Sequence, residues 1–420
     1  MSRFAVAFAS ILSGLACLPA LAFPPNITYI VTRFDDPVPD GCKPHDCSLR
    51  EAVTEAGQHP THDIAQLGAG TYILKSTLVV HHSVAIVGLG AATTRITTTA
   101  ALQPALQIDE AVQMWFGLHD LSLDASGGYE LRGRADSCIT LEGVDLPSPL
   151  SKIWIEEAYG CDTVVTDSHI AGSLTVVGAI EANVSDSSFG KLTVLQTHAG
   201  NSTSYSSTIE RVIVDGAAYS TAGLRIGSIG DVVLNDVTVQ NTRYGLRIEE
   251  DTPSLLVDHL HYRDNREPVE IAGSALALFS DSEFTHNTAI DGAAQPGALW
   301  VRGEDAIVQV QRSTFERNRG TSDAGGAALV ENGAALVFNQ STFSGNTFST
   351  ATAATGPRGG AVGYHGSAAQ TILRLIGITL VAPDFVASGV SGSAIGGYGS
   401  AAQAQLRVYN SIVQGSCANG

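Results

Sequence analysis

The chain has 420 residues and a formal net charge of −18 at pH 7, and charged residues make up only 15% of the sequence. Such an acidic chain repels the phosphates of DNA and RNA, so a basic nucleic-acid-binding protein is excluded. A globular chain of this length usually divides into two or three domains, whereas a repeat protein extends one stacked core along a single axis.

The N-terminal residues predict export. A positively charged start, Met1-Ser2-Arg3, precedes an apolar run that ends in Ala20-Leu21-Ala22, which has the small residues of a cleavage site. We therefore expect residues 1–22 to be a signal peptide. Lipidation at Cys17 is the weaker alternative, because the residue three positions earlier is not a large aliphatic one. No later stretch of the sequence is long and apolar enough to span a bilayer.

Residues 23–60 show no repeat and contain a predicted helix. Ser48 is placed as the N-cap residue and Glu51 follows three positions later, which is the pattern of a capping box. Gly57 is placed to end the helix. We expect this segment to be a cap that covers the exposed core and the unpaired strand edge of the first coil of a repeat.

A two-strand motif recurs along the rest of the chain. In Val232-Val233-Leu234-Asn235-Asp236-Val237-Thr238-Val239, alternate apolar residues point inward on either side of an Asn-Asp pair. This pair suits a left-handed corner between two short strands. The first apolar residues of the copies are Leu118, Leu141, Val165, Val184, Ile209, Leu234, Val257, Phe279, Val310, Phe338, Leu375 and Val408.

Each repeat also contains a third short strand, such as Gly223-Leu224-Arg225-Ile226 and Gly245-Leu246-Arg247-Ile248. Three short strands in each repeat and no helical period predict an all-β fold, a single-stranded parallel β-helix over residues 61–420.

The segment around residues 26–57 resembles a known family. A strand at Ile27–Thr32, an Asp-rich loop and Cys-Ser-Leu-Arg-Glu-Ala at residues 47–52 resemble the CSLREA motif, which opens many exported bacterial β-helix proteins. The resemblance implies a right-handed, pectate-lyase-like solenoid that is secreted, periplasmic or at the cell surface, and right-handedness agrees with the rule for parallel crossovers. It implies no shared catalytic residues.

The last third of the chain contains a second resemblance. Phe284, Phe315 and Phe343 each begin a Phe-x-x-Asn sequence that is followed by a Gly/Ala-rich strand start. The pattern resembles the repeats of chlamydial polymorphic outer-membrane proteins, which are surface-displayed passengers. We expect these phenylalanines to stack inside the coil and the asparagines to bond the backbone at the next corner.

The cysteines predict two disulfides. Cys42 and Cys47 bracket a short loop, and Cys138 and Cys161 precede the second strands of neighbouring coils, which lie close together. Zinc is the rival interpretation, but neither pair has companion ligands at the usual spacing. Cys417 has no evident partner. Because the sequence stops just after a strand pair, we expect a longer natural chain or a partner to cover this end and to pair Cys417.

One outward column of the first strand holds the candidate ligand-binding residues. With Leu224 and Ile226 inward, the predicted column is Trp154, Thr175, Thr193, Arg225, Arg247, Glu270, Trp300, Ala328 and Val362. Trp154 and Trp300 could stack on sugar rings, and Arg225 with Arg247 could hold a uronate carboxylate. In the alternative interpretation, Arg247 and Glu270 form an ordinary surface ion pair and the tryptophans cover loops.

No metal or organic cofactor is predicted. The recurring aspartates Asp120, Asp167, Asp186, Asp236 and Asp281 occupy the corner position, where turn chemistry explains them, so calcium is an alternative that the sequence does not indicate. His259 and His261 could bind a metal only with a third ligand from another coil.

The sequence favours a binding protein over an enzyme. A glycosidase needs two carboxylates beside the scissile bond, and only Glu270 is clearly oriented on the outer face, since residues 249–251 lie at a strand end. We therefore favour a non-enzymatic, adhesin-like protein whose elongated face binds a glycan or a surface protein. The alternatives are a polysaccharide lyase or glycoside hydrolase acting along the same face, and a structural spacer.

Overall fold

The computed structural model covers most of the chain after residue 25. The described residues are 26–58, 61–99, 104–108, 114–125, 130–134, 137–156, 161–196, 206–217, 223–228, 230–249, 252–273, 275–290, 295–321, 325–348, 359–366, 370–381, 386–387, 390–391, 393–399, 404–414 and 416–419. The predicted signal peptide and Cys17 lie outside them.

The N-terminal cap consists of the strand Thr28–Ile30 and the helix Leu49–Ala56. Ser48 Oγ accepts a hydrogen bond from the backbone N–H of Glu51, and the Glu51 carboxylate accepts the backbone N–H of Ser48 at 2.7 Å. The predicted capping box is therefore confirmed, and Gly57 is the C-cap residue. The apolar face of the helix is buried against the first coils through Leu49, Ala52, Val53 and Ala56.

Three parallel sheets form the body, and each coil passes through sheet 1, sheet 2, a two-residue corner and sheet 3. Sheet 1 contains Leu78–Val80, Leu106–Ile108, Leu131–Arg134, Lys152–Glu156, Leu224–Gly227, Leu246–Ile248, Val269–Ala272, Leu299–Arg302, Ala328–Glu331, Gly359–Gly366, Ser393–Gly399 and Ser416–Asn419. Sheet 2 contains Thr28–Ile30, Asp63–Gln66, Val84–Val87, Thr163–Thr166, Glu181–Ser185, Leu276–Ser280, Ile307–Gln311, Ala335–Asn339, Thr371–Ile376 and Ala404–Tyr409. Sheet 3 contains Gly70–Leu74, Thr94–Thr98, Glu283–Thr285, Thr314–Glu316, Thr342–Ser344, Thr379–Val381 and Ile412–Gln414.

Longer strands turn through a corner and take part in two sheets. Those that join sheets 2 and 3 are Trp115–Asp124, Cys138–Leu146, Ser206–Asp215, Asp231–Gln240 and Ser254–Arg263. Those that join sheets 3 and 1 are His169–Val177 and Ser188–Leu195. Two short pairs lie outside the three sheets: Arg319–Gly320 is parallel to Thr347–Phe348, and Val386–Ala387 is antiparallel to Val390–Ser391.

The pairing register confirms the predicted repeat. Each predicted first apolar residue, from Leu118 to Val408, pairs with the same position of the next coil, so that these side chains form one continuous column. All of them are buried except Val408, which is 41% exposed on the last coil. Burial of such columns is the main favourable term for the fold, and the predicted parallel β-helix is confirmed.

The corner between sheets 2 and 3 has left-handed backbone. The predicted corner aspartates, Asp120, Asp167, Asp186, Asp236 and Asp281, have φ values from 49° to 53°. Turn chemistry therefore accounts for their recurrence, because Asp tolerates this conformation better than most residues. In other coils the position is occupied by Gly143, Arg211, His259, Arg312, Gln340, Gly377 or Asn410.

Phenylalanine and asparagine columns fill the last third of the body. The rings of Phe284 and Phe315 stack with centroids 4.4 Å apart, and those of Phe315 and Phe343 with centroids 4.8 Å apart, which confirms the expected stacking. Asn318 Nδ2 donates to the Phe284 carbonyl oxygen at 2.8 Å, so the asparagine bonds reach the backbone of the preceding coil. The Asn column consists of Asn265, Asn287, Asn318 and Asn346.

The coils differ in length mainly in the connection from sheet 3 to sheet 1. This connection is short between Phe189 and Leu192, and long between Phe343 and Val362. The corner from sheet 2 to sheet 3 keeps its two-residue length, as between Leu234 and Val237. Additional residues are therefore concentrated beside sheet 1.

Both predicted disulfides are present. The Cα atoms of Cys42 and Cys47 are 4.4 Å apart, and those of Cys138 and Cys161 are 4.8 Å apart. Disulfides indicate an oxidising compartment. Within the described residues, no helix has the length and hydrophobicity needed to cross a membrane. The side chain of Cys417 lies outside the described part of the chain, and its pairing stays a prediction.

Candidate functional site

The residues selected from the sequence lie in one outward column of sheet 1. Cα pairing aligns Arg132, Trp154, Thr175, Thr193, Arg225, Arg247, Glu270, Trp300, Leu329 and Gly363, which we call the ladder column. Neighbouring strands are about 4.8 Å apart, so the two tryptophans, six steps apart, are separated by roughly 29 Å along the axis. The distance between the two tryptophans corresponds to several units of an extended polymer.

Two predicted members of the column were wrong. Ala328 and Val362 are fully buried and face the core, and Leu329 and Gly363 occupy the outward position instead. The sequence does not show which residues of this strand face outward, because Ala327 and Ala328 are adjacent, small and both buried and therefore give no alternation of apolar and polar residues.

A second outward column lies two residues further along each strand of sheet 1. It contains Glu249, Arg302, Glu331 and His365, none of which sequence reasoning selected. We call it the charged column. The sequence contains a signal for this column, because side chains two positions apart on a strand point to the same face. Glu249 lies two positions after Arg247, and Arg302 lies two positions after Trp300.

Arg225 and Arg247 share one carboxylate. Arg225 Nε lies 2.5 Å from Glu249 Oε1, and Arg247 Nε lies 3.4 Å from the same oxygen. Arg247 Nε is also 3.9 Å from Glu270 Oε2. The side chain of Glu249 is only 22% exposed, so it belongs to the outer face and not to a solvated loop.

Trp300 is fixed at its edge and on one ring face. Its Nε1 donates a hydrogen bond to Glu331 Oε1 at 3.0 Å. The Arg302 guanidinium carbon lies 4.5 Å from the ring centroid, in cation–π contact, and Arg302 also bonds the carboxylate of Glu270. The ring is thereby held in one orientation, which lowers the entropy cost of stacking a ligand on it.

Trp154 lies apart from this network. It is 37% exposed, and its column neighbours are Arg132 and Thr175. Thr175 and Thr193 separate it from the cluster that begins at Arg225. The ladder column therefore contains one isolated tryptophan, Trp154, and one braced tryptophan, Trp300.

Glu267, in the connection that precedes the strand Val269–Ala272, has a perturbed pKa. Burial raises the pKa of Glu267 above its ordinary value, and the charge of nearby Glu270 raises it further, whereas Arg243 and Arg247 oppose the increase. A carboxyl group that retains its proton more readily can act as a general acid beside an ionised carboxylate.

No convergent metal site is found in the described ranges, where no group of three His, Cys, Asp or Glu side chains is close enough to hold an ion. His259 occupies a corner with φ 54° and contacts Asp258, and His261 Nδ1 lies 3.4 Å from Glu283 Oε2.

Comparisons with known proteins concern the fold. A family model described as the right handed beta helix region matches residues 193–374. No curated protein matches the sequence. Among solved structures, the catalytic domain of a GH87 alpha-1,3-glucanase in complex with nigerose is 14% identical with a TM-score of 0.41, covering 89% of this chain and 64% of that one. The A-module of mannuronan C-5 epimerase AlgE6 from Azotobacter vinelandii is 13% identical with a TM-score of 0.44, covering 87% of this chain and 94% of that one.

The chain thus spans less than two thirds of the length of the glucanase structure. Identities and TM-scores this low carry no information on activity, and we derive the function from the chain's own residues. Together with the parallel register, the family match identifies the fold as a right-handed parallel β-helix.

Proposed function

We propose that this chain is an exported β-helix protein that binds a neutral polysaccharide along the outer face of sheet 1. The observation that carries the proposal is the ladder column, in which Trp154 and Trp300 flank the contiguous polar residues Arg225, Arg247 and Glu270. Aromatic faces with a few fixed polar groups are the usual composition of a ligand site, and a sugar polymer offers both apolar ring faces and hydroxyl groups.

The charge balance favours neutral sugars over uronates. Arg225, Arg247 and Arg302 each contact a carboxylate already, from Glu249 or Glu270. A uronate would have to compete with these glutamates and would approach a chain of net charge −18. Sugar hydroxyl groups do not have to displace these glutamates from the arginines. A hydroxyl group can donate its O–H to a glutamate oxygen and accept an N–H of a guanidinium group on its own oxygen.

Export is part of the proposal. It is supported by the signal-like residues 1–22 and by the two disulfides, which persist in oxidising compartments.

A binding experiment tests the proposal. We expect the purified mature protein to be retarded in native gels that contain a soluble neutral β-glucan, α-glucan or galactomannan, and Trp300→Ala to weaken this retardation about tenfold, equivalent to ~1.4 kcal/mol. Leu256→Ala is the matched control, because Leu256 is outward and 49% exposed on sheet 2. Equal retardation of Trp300→Ala and wild type, or retardation by alginate and polygalacturonate alone, would contradict the proposal.

A second candidate function, glycoside hydrolysis on the same face, is favoured by one observation. Burial and the charge of Glu270 raise the pKa of Glu267, and a raised pKa is one property of a general acid. Incubation of the same polysaccharides with the protein, followed by assays for new reducing ends and for unsaturated products, separates hydrolase from lyase. Turnover that Glu267→Gln abolishes while polysaccharide binding persists would establish the hydrolase, and absence of turnover leaves a binding protein.

A further inference from the structure

A cleft of about 350 Å³ lies on the outer face of sheet 2 near the N-terminal cap. It belongs to a different sheet from the ladder column. Its floor is formed by Ile64 and Ala85, which occupy the same outward position of successive coils, and by Val87 on the same strand as Ala85. The volume falls within the range of small-molecule pockets, ~300–1,000 Å³.

The walls of the cleft are aromatic. Trp115 stands on one side and contacts His62 edge-to-face, with ring centroids 5.5 Å apart. His119 stands beside Trp115 on the same strand, with the two ring centroids 6.1 Å apart. Asn26 and Asp120 complete the rim. The cleft therefore combines an apolar floor and an indole wall with polar groups at its edge.

His119 is held in a fixed orientation. Its Nδ1 lies 3.1 Å from Glu142 Oε2 on the next coil, and its side chain is only 17% exposed. Because an ionised carboxylate only accepts hydrogen bonds, Nδ1 carries a proton and donates it. In the neutral ring, Nε2 is then an acceptor.

Gly117 lets the rings of Trp115 and His119 lie close to the backbone. A Cβ atom at this position would lie 2.5 Å from Nε2 of His119 and 3.0 Å from Cη2 of Trp115. The two rings therefore occupy the space over Gly117, and any larger residue there would displace them from the positions in which they line the cleft.

We propose that this cleft binds a single neutral hexopyranose, as a terminal sugar or a branch of a glycan. The apolar face of the ring would lie on Ile64, Ala85 and Val87 beside the indole of Trp115, and its hydroxyl groups would bond Nε2 of His119 and the side chain of Asn26. This site is independent of the polysaccharide face on sheet 1.

The surroundings select this ligand class over others. Asp120 lines the cleft and Glu142 lies behind His119, so an anion would meet negative charge. A purely apolar ligand would leave the histidine and asparagine at the rim unpaired. A hexopyranose presents one apolar face and a rim of hydroxyl groups, which matches an apolar floor with polar edges.

Fluorine NMR provides a direct test, because the chain contains three tryptophans, Trp115, Trp154 and Trp300. Protein labelled with 5-fluorotryptophan gives one resonance for each residue, assigned with the three Trp→Phe variants. The probes are the methyl glycosides of β-D-glucose, β-D-galactose and α-D-mannose. We expect at least one to shift the Trp115 resonance saturably, with a dissociation constant on the order of 1 mM for a ligand of this size.

The outcomes separate the two sites. A Trp115 resonance that none of the three glycosides shifts would overturn the cleft proposal, even if a polysaccharide shifts the Trp300 resonance and supports the face on sheet 1. Conversely, a shift of Trp115 without any response of Trp300 to polysaccharides would support the cleft and contradict the proposed function.

Two variants check the geometry. Gly117→Ala should weaken glycoside binding at least fivefold, because the added methyl group would displace the rings of Trp115 and His119, and His119→Phe should do so because it removes Nε2 but keeps an aromatic wall. Thr140→Val is the control, since Thr140 is the next outward residue of the same row and does not line the cleft. Wild-type affinity in folded Gly117→Ala and His119→Phe proteins would overturn the proposal.

Discussion

Asn318 Nδ2 donates a hydrogen bond to Asn346 Oδ1 at 3.0 Å, which ties two successive coils together through fully buried side chains. The same nitrogen donates to the Phe284 carbonyl oxygen, and Asn318 Oδ1 accepts from Asn287 Nδ2 at 2.9 Å. The bonds of one asparagine thus serve three coils.

Asn318→Ala should therefore destabilise the protein by about 3 kcal/mol, because it leaves several buried polar groups unsatisfied. Urea denaturation monitored by far-UV circular dichroism measures the change. Asn235→Ala is the control, since Asn235 is only partly buried and its side chain makes one long bond, at 3.3 Å to Glu210. Equal losses in the two variants would contradict the role of the Asn column.

Acidification should loosen the N-terminal cap through Asp36. Its carboxylate is nearly buried and accepts two bonds from Arg50 at 2.8 Å and one from the Lys75 backbone at 2.9 Å. Burial raises the pKa of Asp36, but these hydrogen bonds outweigh it, so the pKa lies below its ordinary value of 3.8. A depressed pKa contributes stability fully above the unfolded-state value, and this contribution is lost as the pH falls through the folded-state value.

We expect Asp36→Asn to lower the Tm at neutral pH and the difference from wild type to shrink as the pH falls below the ordinary pKa of 3.8. Thermal melts across this range measure the effect. Asp35→Asn is the control, because Asp35 pairs with Arg33 at the exposed surface, where ion pairs contribute little. A Tm difference for Asp36→Asn that stays constant with pH would contradict the linkage.

The left-handed corner predicts opposite effects at two equivalent positions. Gln340 has φ 50° and Gly377, at the same corner one coil later, has φ 61°. Gln340→Gly should stabilise the protein by about 0.5–1 kcal/mol, because relief of the left-handed strain exceeds the added entropy of the unfolded chain. Gly377→Gln should destabilise it by a similar amount, since a Cβ there meets no close atom and only the backbone cost remains. Chemical denaturation measures the change in the free energy of unfolding of each variant, and changes of the same sign in both variants would refute the explanation.

The two disulfides should differ in their contribution to stability. Cys138 and Cys161 are 23 residues apart and Cys42 and Cys47 only 5 apart, so loop-closure entropy gives about 3 kcal/mol for the first bond and about 2 kcal/mol for the second. The double Cys→Ser variants, compared by Tm under non-reducing conditions, measure the difference. A larger loss for the Cys42/Cys47 pair would show that contacts within the cap, and not chain entropy, dominate.

The sequence predicted the body of the fold well because one physical constraint recurs in every coil. The inward positions aligned with Leu234 must be apolar, and the corner must tolerate positive φ, so both leave a readable period. The prediction failed at Ala328 and Val362, where small buried residues on both strand faces remove the alternation.

The candidate site was only partly predictable. The ladder column follows from the two-residue alternation of the sheet 1 strands. From the sequence, Glu249 lies only at a strand end, because its place on the outer face depends on its contacts with Arg225 and Arg247. The cleft beside Trp115 had no sequence signal at all. Asn26, His62 and Trp115 meet only because the N-terminal strand and the first coils stack in sheet 2.

The unequal lengths of the connections from sheet 3 to sheet 1 have a consequence for specificity. The long connections, such as the one between Phe343 and Val362, lead in the sequence to the later strands of sheet 1, while the columns of the core stay in register. Residues can therefore be gained or lost in these connections one coil at a time without repacking the interior. The core columns and the connections from sheet 3 to sheet 1 therefore vary independently. Under the proposed function, a change in ligand preference requires changes only in these connections.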